Sequence, residues 1–488
     1  MAPAATSRAK GLALALLAMT QFVIVLDASI VNVALPSIGR ELHFNQDDLS
    51  WVVNAYTLTF GGFLLLGGRL ADLIGRRRMF IGGLVLFSAA SLAGGLAQSD
   101  VWLIGARAVQ GLGAAIISPA ALSLVTTMFA EGTERNRALG VWGAVAGSGG
   151  AAGVLLGGML TEWAGWEWVL FVNVPITLVA AVLAPRLLPE SRDDRPRVFD
   201  LTGAVSVTAG LALLVYALVD ANQAGWGSAQ TIGLGALAVA LLAAFVVVER
   251  RTSHPLVPFA IFRNRTLRGA DIVGLLIGMA LFAMFFFISL YLQQVLGYEP
   301  LKAGVAYLPL AVMIIVSAGV ASQLVTRIGF KRTLVAGMLL LTGALAWLSQ
   351  VSAPGGSYLG DILFPSLLVG VGLGLAFVPV TIAAVSGTRP DEAGLASGLI
   401  NTAQQIGGAL GLAVLVAVAN GRTSDVFASG VRDPRVALTE GFQDAFLVGA
   451  GFALLAALLA ATLISSRASR EHAEAARRGE AAAAPVAA

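Results

Sequence analysis

Long apolar stretches separated by short polar breaks run through the chain from near its start to about residue 465. Most of these stretches come close to the roughly 20 mostly apolar residues that a helix needs to cross a bilayer. Reading between the charged and Gly/Pro-rich breaks, the pattern predicts fourteen membrane-spanning helices. They cover residues 11–36, 51–68, 79–97, 101–125, 138–160, 168–188, 201–219, 229–248, 270–296, 303–325, 333–351, 358–385, 394–419 and 442–465.

The composition supports a membrane protein and excludes several other classes. Of the 488 residues, 57% are hydrophobic and only 12% are charged, whereas about a quarter of a soluble domain is charged. The absence of cysteine excludes disulfides and thiol catalysis. No lysine stands in a P-loop motif, so any active transport must draw on an ion gradient or on a partner.

The positions of Lys and Arg give the orientation of the helices. With both termini in the cytoplasm, 25 of the 31 cations fall on cytoplasmic segments and five on outer loops, while Arg107 lies inside a helix. This split follows the positive-inside rule, and a miscounted helix would scramble it. The first span shows no cleavage pattern, so we interpret it as an uncleaved span rather than a signal peptide.

A degraded internal repeat divides the chain. The segment 68–78 recurs in altered form at 324–332, offset by 254 residues. Repeated halves with a site at their interface are typical of alternating-access transporters, although chance similarity of two basic turns is an alternative. The predicted domains are an N-terminal six-helix half at 1–190, two inserted linker helices with cytoplasmic loops at 191–265, a C-terminal six-helix half at 266–466, and a disordered cytoplasmic tail at 467–488.

Asp27 is an acidic residue inside the apolar first span. A carboxylate at that depth costs a few kcal/mol unless it is paired, hydrated or protonated. Because this cost favours the neutral form, a proton can load and leave near physiological pH. We predict a proton-coupling role for Asp27; the alternative is a structural polar group bonded to a neighbouring helix.

Arg107 is the other charge inside a span, and it shares a narrow polar stripe with Gln110 and Ser118 at 100° per residue. Arginine stays charged there, so it needs a carboxylate, carbonyl groups or water. By exclusion, Asp27 is its nearest intramembrane acid. We hypothesise that Arg107 favours ionised Asp27 in one conformation and releases it in another; a static buried ion pair is the alternative.

A Gly- and Arg-rich cytoplasmic loop follows the second span. Ordinary positive-inside charge explains part of it, but an acid is not needed there, so Asp72 stands out. A carboxylate near the start of the third span can cap that helix and bond to the other half, which would hold an inner gate closed. The residues predicted to act in gating are Gly68, Asp72, Gly75, Arg76 and Arg77.

Glycines at spacing four mark the fifth span, at Gly149, Gly153 and Gly157. Such rows let helices approach closely in lipid, and a role in conformational switching is a further possibility. Polar residues within other spans are candidates to line a substrate cavity or, equally, to join helices. These candidates are Gln21, Asn32, Asn54, Tyr56, Gln110, Asn401, Gln404 and Gln405.

In four stretches, at 26–36, 68–78, 107–113 and 153–158, the chain resembles the fourteen-span drug:H+ antiporters of the major facilitator superfamily. The resemblance implies an all-α polytopic membrane protein with the major facilitator fold: two six-helix halves and two inserted helices. It also implies proton coupling by Asp27 and Arg107. For Gly153, Gly157 and Gly158 it implies a motif associated with exchange rather than uptake.

Two positions depart from the family pattern. Val154 stands where the motif of the fifth span usually has proline, and Glu167 stands where a basic residue is common between the tryptophans before the sixth span. The last six spans also contain no central acid, only Asp271, Asp361 and Asp444 near span ends. We therefore expect monovalent, neutral or zwitterionic lipophilic substrates rather than dications.

The expected function is antiport of protons against amphipathic organic compounds such as drugs, antibiotics and dyes, which the protein exports. One alternative is a proton-coupled exporter of a single endogenous metabolite, such as a self-made antibiotic, siderophore or amino acid. A membrane-embedded enzyme or a transporter-derived sensor is a second alternative, although the sequence shows neither a cluster of catalytic residues at one membrane face nor a soluble sensor domain.

The resemblance and composition carry further expectations about partners and location. We expect no enzymatic activity, no cofactor, no metal site and no nucleic-acid partner. The expected partners are the organic substrate, protons and the lipid bilayer, and the expected state is a monomer. The predicted location is the cell membrane, crossed many times, with both termini cytoplasmic.

Overall fold

The computed structural model describes residues 7–44, 51–130, 132–190, 201–252, 255, 257–353, 355–388 and 392–483. Within these ranges the regular structure is helical throughout and includes no strand. Because a bilayer offers no water to backbone amides and carbonyls, each apolar stretch satisfies its own hydrogen bonds as a helix. The all-α fold class is thus confirmed.

The described residues of the first part of the chain form eight helices, in the order that the hydrophobic pattern predicts. They are α1 (Ser7–Glu41), α2 (Trp51–Ile74), α3 (Arg76–Gly95), α4 (Asp100–Met128), α5 (Thr133–Trp163), α6 (Trp168–Leu187), α7 (Leu201–Ala224) and α8 (Ala229–Arg251).

In the second part, the described residues form a short 3₁₀ helix at Phe259–Arg263 and then seven longer helices. They are α9 (Arg265–Val295), α10 (Leu301–Ile328), α11 (Phe330–Leu348), α12 (Tyr358–Val385), α13 (Ala393–Ala428), α14 (Pro434–Leu463) and α15 (Ser466–Ala483).

Among the described residues, twelve helices are long and apolar enough to cross a membrane. The α5 helix adds a thirteenth span, bent by 44° between its parts Thr133–Gly150 and Ala152–Trp163. The remaining predicted span falls on α7, whose apolar stretch Thr202–Leu218 is shorter. Each predicted span therefore falls on a helix, and the chain is a multi-pass membrane protein.

The inserted pair α7 and α8 lies at the edge of the helix bundle. The ring of Tyr216 on α7 stacks on Trp51 of α2, with centroids 5.3 Å apart. Helix α8 is exposed along most of its length, as expected for a helix that faces lipid. The predicted boundary at residue 190 adjoins 191–200, which lie outside the described residues, so the domain limits stay predictions.

Small residues bring helices of the two halves close together. A Cβ atom at Gly140 of α5 would lie 2.8 Å from the Ser322 side chain of α10. Gly398 of α13 likewise sits close to the backbone of α2 near Leu64. Because glycine has no side chain, these backbones approach closely and gain van der Waals contact, which drives helix association in lipid.

The prediction of a disordered tail at 467–488 is wrong for the described part, because Ser466–Ala483 form helix α15. Its small residues Ser469, Ala473 and Ala476 are buried, and His472 lies 3.0 Å from the Asn136 side chain of α5. The sequence did not reveal this contact face. Its alanine and serine residues give little hydropathy signal, and the charged residues of α15 dominate the pattern. Residues 484–488 lie outside the described residues.

Candidate functional site

Asp27 is fully buried on α1 and accepts hydrogen bonds from three side chains. Its Oδ2 accepts from Nη1 of Arg107 at 2.6 Å. Its Oδ1 accepts from Nε2 of Gln110 at 2.8 Å and from Nδ2 of Asn173 at 2.7 Å. Hydrogen bonds to an ionised carboxylate are among the strongest in proteins, so these donors stabilise the charged form of Asp27 and join α1, α4 and α6.

Arg107 is also buried, and several neighbours share its charge. Besides Asp27, its Nη1 donates to Oε1 of Gln110 at 2.6 Å, and its Nε donates to the Val52 carbonyl of α2 at 3.0 Å. Its guanidinium lies over the Tyr56 ring, 4.4 Å from the centroid. These contacts give the buried arginine an acid, oxygen acceptors and an aromatic face. Its Nη2 atom is buried without a hydrogen-bond partner in the described part of the chain.

Two members of this network were missed from the sequence. Helix α6 consists of a short segment, Trp168–Phe171, and a longer one, Asn173–Leu187. Asn173 begins the longer segment and donates directly to Asp27. Ser91 of α3 accepts a 2.7 Å hydrogen bond from Gln110. A polar residue within an apolar span was the available signal for both, but the sequence alone did not show which helices face Asp27.

The glycine row of α5 packs on α1 beside Asp27. A Cβ atom at Gly149 would lie 2.9 Å from Val25, and one at Gly153 would lie 2.8 Å from the Leu26 carbonyl. A Cβ atom at Gly157 would lie 2.6 Å from the Ile30 carbonyl. Glycine at these positions therefore lets α5 follow α1 on both sides of the buried acid.

Gly158 faces a different partner from its neighbours in the row. A Cβ atom there would lie 3.2 Å from the Cα atom of Leu301, which begins α10 in the second half. The 44° bend of α5 falls between Gly150 and Ala152, next to Ser148, whose hydroxyl bonds back to the Ala144 carbonyl at 2.7 Å. Such back-bonding and paired glycines are known causes of helix bends.

Asp72 joins the two halves at the end of the bundle that the charge pattern predicts to be cytoplasmic. Its Oδ1 accepts from Nη2 of Arg76 at 2.9 Å, and both side chains are buried. Its Oδ2 accepts from the backbone amide of Leu395 at 3.1 Å. That amide lies in the first turn of α13, where helix amides lack partners within the helix. Asp72 thus caps α13 of the opposite half rather than the third span.

The other residues predicted for gating surround this contact. Gly75 has a φ angle of 125°, which favours glycine, and a Cβ atom there would lie 2.7 Å from Glu190. Arg77 donates to the Leu188 carbonyl at 3.2 Å and lies 3.6 Å from the Glu190 carboxylate. Gly68 is buried in α2. The loop is therefore tied to the end of α6 as well as to α13.

We expect Asp72→Asn to loosen this contact between the halves. The change removes the negative charge that pairs with Arg76 and weakens the bond to Leu395. A hydrogen bond to a charged group contributes about 1.5–3 kcal/mol, so open molecules should increase roughly tenfold or more. Because the chain lacks cysteine, Ala396→Cys, buried at the start of α13, can serve as the only thiol in a maleimide-labelling assay.

The matched control for this prediction is Asp100→Asn, which changes an acid at the start of α4, away from the contact between the halves. Labelling of Ala396→Cys should become faster in Asp72→Asn and stay unchanged in Asp100→Asn. Equal labelling rates in all three proteins would contradict the gating assignment.

The predicted cavity residues divide into two groups. Tyr56 and Gln110 are fully buried and belong to the ion-pair network rather than to a cavity wall. Gln21 is buried and accepts from the Ser118 hydroxyl at 3.2 Å. The partly or fully exposed members are Asn32, Asn54, Asn401, Gln404 and Gln405.

A groove of about 750 Å³ lies between α5 and α10, at the contact of the two halves. Gly140, Ala144, Ile315 and Gly319 form part of its largely apolar wall, and Arg137 and Arg327 also border it. Its volume is within the range that accommodates drug-sized molecules. None of the predicted cavity residues lines it.

Comparisons with known proteins bear on the family. A sequence profile described as the Major Facilitator Superfamily matches residues 17–412. The puromycin resistance protein pur8 of Streptomyces alboniger is 42% identical over 454 residues, which cover 92% of this chain and 90% of that protein. The cephamycin export protein CmcT of Amycolatopsis lactamdurans is 44% identical over 457 residues, which cover 92% of each chain.

A comparison of structures bears on the fold. The crystal structure of the human organic anion transporter MFSD10 matches with a TM-score of 0.65, covering 92% of this chain and 98% of that one. The sequences are only 16% identical, so this likeness concerns the arrangement of the helices.

Proposed function

The chain belongs to the major facilitator superfamily, and we propose that it exports amphipathic organic compounds, including antibiotics, in exchange for protons. The observation that carries the proposal is the buried ion pair of Asp27 and Arg107, a titratable acid held inside the membrane in a transporter fold. The antibiotic resistance and export proteins that resemble the chain support the substrate class. We further propose that it acts as a monomer in the cell membrane with cytoplasmic termini.

Proton binding to Asp27 would change the contacts of three helices at once. The ionised carboxylate holds Arg107, Gln110 and Asn173. A proton arriving from outside would neutralise it, so that Arg107 would lose its counter-charge and α1 would be less firmly held to α4 and α6. Return of the proton to the cytoplasmic side would restore the ion pair.

The α5 helix offers a route from this event to the second half. Its Gly153 packs against the Leu26 carbonyl, next to Asp27, and its Gly158 packs against Leu301 of α10. A shift of α1 therefore presses on α5 near its bend, and α5 in turn contacts the opposite half. We propose that this contact links the protonation of Asp27 to the alternation between inward- and outward-facing states.

A second candidate function is the export of one specific compound. The names of the two relatives, a puromycin resistance protein and a cephamycin export protein, each refer to a single antibiotic or antibiotic class. This observation favours a narrow substrate range, while the apolar groove between α5 and α10 favours a broad one.

Transport assays separate these functions. Purified protein in liposomes should move a fluorescent amphipathic dye against its gradient when a pH gradient is imposed, and a proton ionophore should stop this movement. Expression in a drug-sensitive bacterium should raise resistance to several unrelated antibiotics. A shift for one compound alone would favour the narrow exporter, and dye movement insensitive to the ionophore would contradict proton coupling.

A further inference from the structure

Asp271 is a buried acid that the proposed coupling mechanism does not use. The sequence placed it near a span end, and it lies six residues into α9, about 9 Å along the helix axis at 1.5 Å per residue. The residue is partly exposed as a whole, yet both of its carboxylate oxygens are shielded from solvent. Neither oxygen accepts a hydrogen bond within the described part of the chain.

The face of α9 that carries Asp271 packs against α13. Gly274 and Gly278 share this face at helical spacing, and Cβ atoms there would meet Ile400 and Gln404, respectively. Asp271 lies about one turn closer to the cytoplasm on the same stripe. The described part of α13 carries no cation before Arg422, which lies toward the other end of the helix.

None of the charged groups that the structure describes on the neighbouring elements compensates Asp271. The charge that the structure describes on α12, Asp361, lies in its first turns, and the charges of α13 and α14 lie toward their outer ends. These are Arg422, Asp425, Arg435, Glu440 and Asp444. Charged residues at the cytoplasmic ends are Arg263, Arg265, Arg268, Glu392 and Arg467. Arg268, one turn before Asp271, is exposed, and none of the described ion pairs includes Asp271.

Asp27 and Asp271 thus occupy opposite environments in one conformation. Three side-chain donors stabilise a negative charge on Asp27, whereas no donor among the described residues stabilises one on Asp271. An isolated buried carboxylate is costly, and it avoids the cost by binding a proton. We propose that Asp271 holds a proton in this conformation and is a second proton-binding group of the transport cycle, an inference that rests on the proposed proton-coupled export.

The position of Asp271 also indicates where its proton would go. It faces α13 near the end of that helix where Asp72 holds the Leu395 amide. Separation of α13 from α2 at this contact would admit cytoplasmic water to the carboxyl group. The proton would then leave to that water, and in the outward-facing state ionised Asp271 would take up the next proton from the outer side, so that each cycle would carry one proton inward through this group.

Infrared difference spectroscopy tests the protonation directly, without transport. The parent at neutral pH should show the carbonyl stretching band of a buried protonated carboxyl group. Asp271→Asn should lose this band, while Asp444→Asn, which alters an exposed acid in the same half, should keep it. Asparagine has the shape of the neutral acid, so the variant should fold. Persistence of the whole band in Asp271→Asn would overturn the proposal.

The number of protons exchanged provides the second test. In liposomes, the logarithm of the steady-state substrate ratio rises with the imposed pH difference, with a slope equal to the protons exchanged per substrate. The slope should fall by one in Asp271→Asn and stay unchanged in Asp444→Asn. A nonzero parent slope that is unchanged in Asp271→Asn would overturn this inference alone. A zero slope in the parent would overturn the proposed proton coupling and this inference together.

Discussion

Asp27→Asn should abolish efflux driven by a pH gradient while leaving exchange of substrate for substrate in place. Asparagine keeps the size of the side chain, and its carbonyl can still accept from Gln110 or Asn173. The asparagine side chain cannot bind or release a proton near neutral pH. Transport steps that need no change in protonation should therefore continue, whereas gradient-driven accumulation should fall to the level of protein-free liposomes.

Asp27→Glu is the informative companion variant. It restores a titratable carboxylate but lengthens the side chain in a fully buried site. We expect gradient-driven efflux at a reduced rate, because the pairing with Arg107 will be imperfect. Gradient-driven efflux at the parental rate in Asp27→Asn would show that another group carries the coupling proton, and Asp271 would be the first candidate.

The positions of the helices were largely predictable from the sequence because lipid imposes a strong rule. A backbone in hydrocarbon must bond to itself, so long apolar stretches become helices whatever their neighbours. The predicted limits of α2 and α4, 51–68 and 101–125, fall within the observed Trp51–Ile74 and Asp100–Met128. The observed helices are longer because polar end turns continue the helix beyond the apolar stretch.

The ion pair was also predictable from the sequence. Asp27 and Arg107 are the charges deepest in the apolar spans, and charged residues within membrane spans usually pair with one another. Its other partners were not. Asn173 and Ser91 looked like isolated polar residues, and their roles depend on how α3 and α6 pack around α1 and α4. The periodicity of one helix does not determine which neighbour its polar face meets.

Two further features could not be predicted from the sequence, for similar reasons. The partner of Asp72 in the other half is the backbone amide of Leu395. Because nearly every residue has a backbone amide, the identities of the side chains do not show which one Asp72 binds. The isolation of Asp271 is a property of its surroundings, because the same acid beside a cation would be an ordinary ion pair. The bend of α5 occurs although Val154 replaces the usual proline, so glycines and Ser148 are sufficient local causes.

Arg107→Met should be the most destabilising of the substitutions considered. The arginine and Asp27 have exposed fractions of 1% and 0%, and their atoms are 2.6 Å apart. Removing one partner of a buried pair leaves an uncompensated charge and typically costs about 3–5 kcal/mol. Arg422→Met is the matched control, because Arg422 pairs with Glu440 at 2.7 Å but is 46% exposed, and exposed pairs contribute about 0–1 kcal/mol. Unfolding of the purified proteins in detergent measures both changes.

The double variant Asp27→Asn/Arg107→Met separates structural stabilisation from proton coupling. With both charges removed, no buried charge is left without a partner, so the double variant should be more stable than Arg107→Met alone. The double-mutant cycle formed by the parent, the two single variants and the double variant should give a coupling energy of at least about 1 kcal/mol. If the ion pair had only a structural role, the double variant would recover gradient-driven efflux along with stability. We expect stability to return without gradient-driven efflux, because neither replacement can carry a proton. Additive losses of stability in the cycle would contradict the ion pair itself.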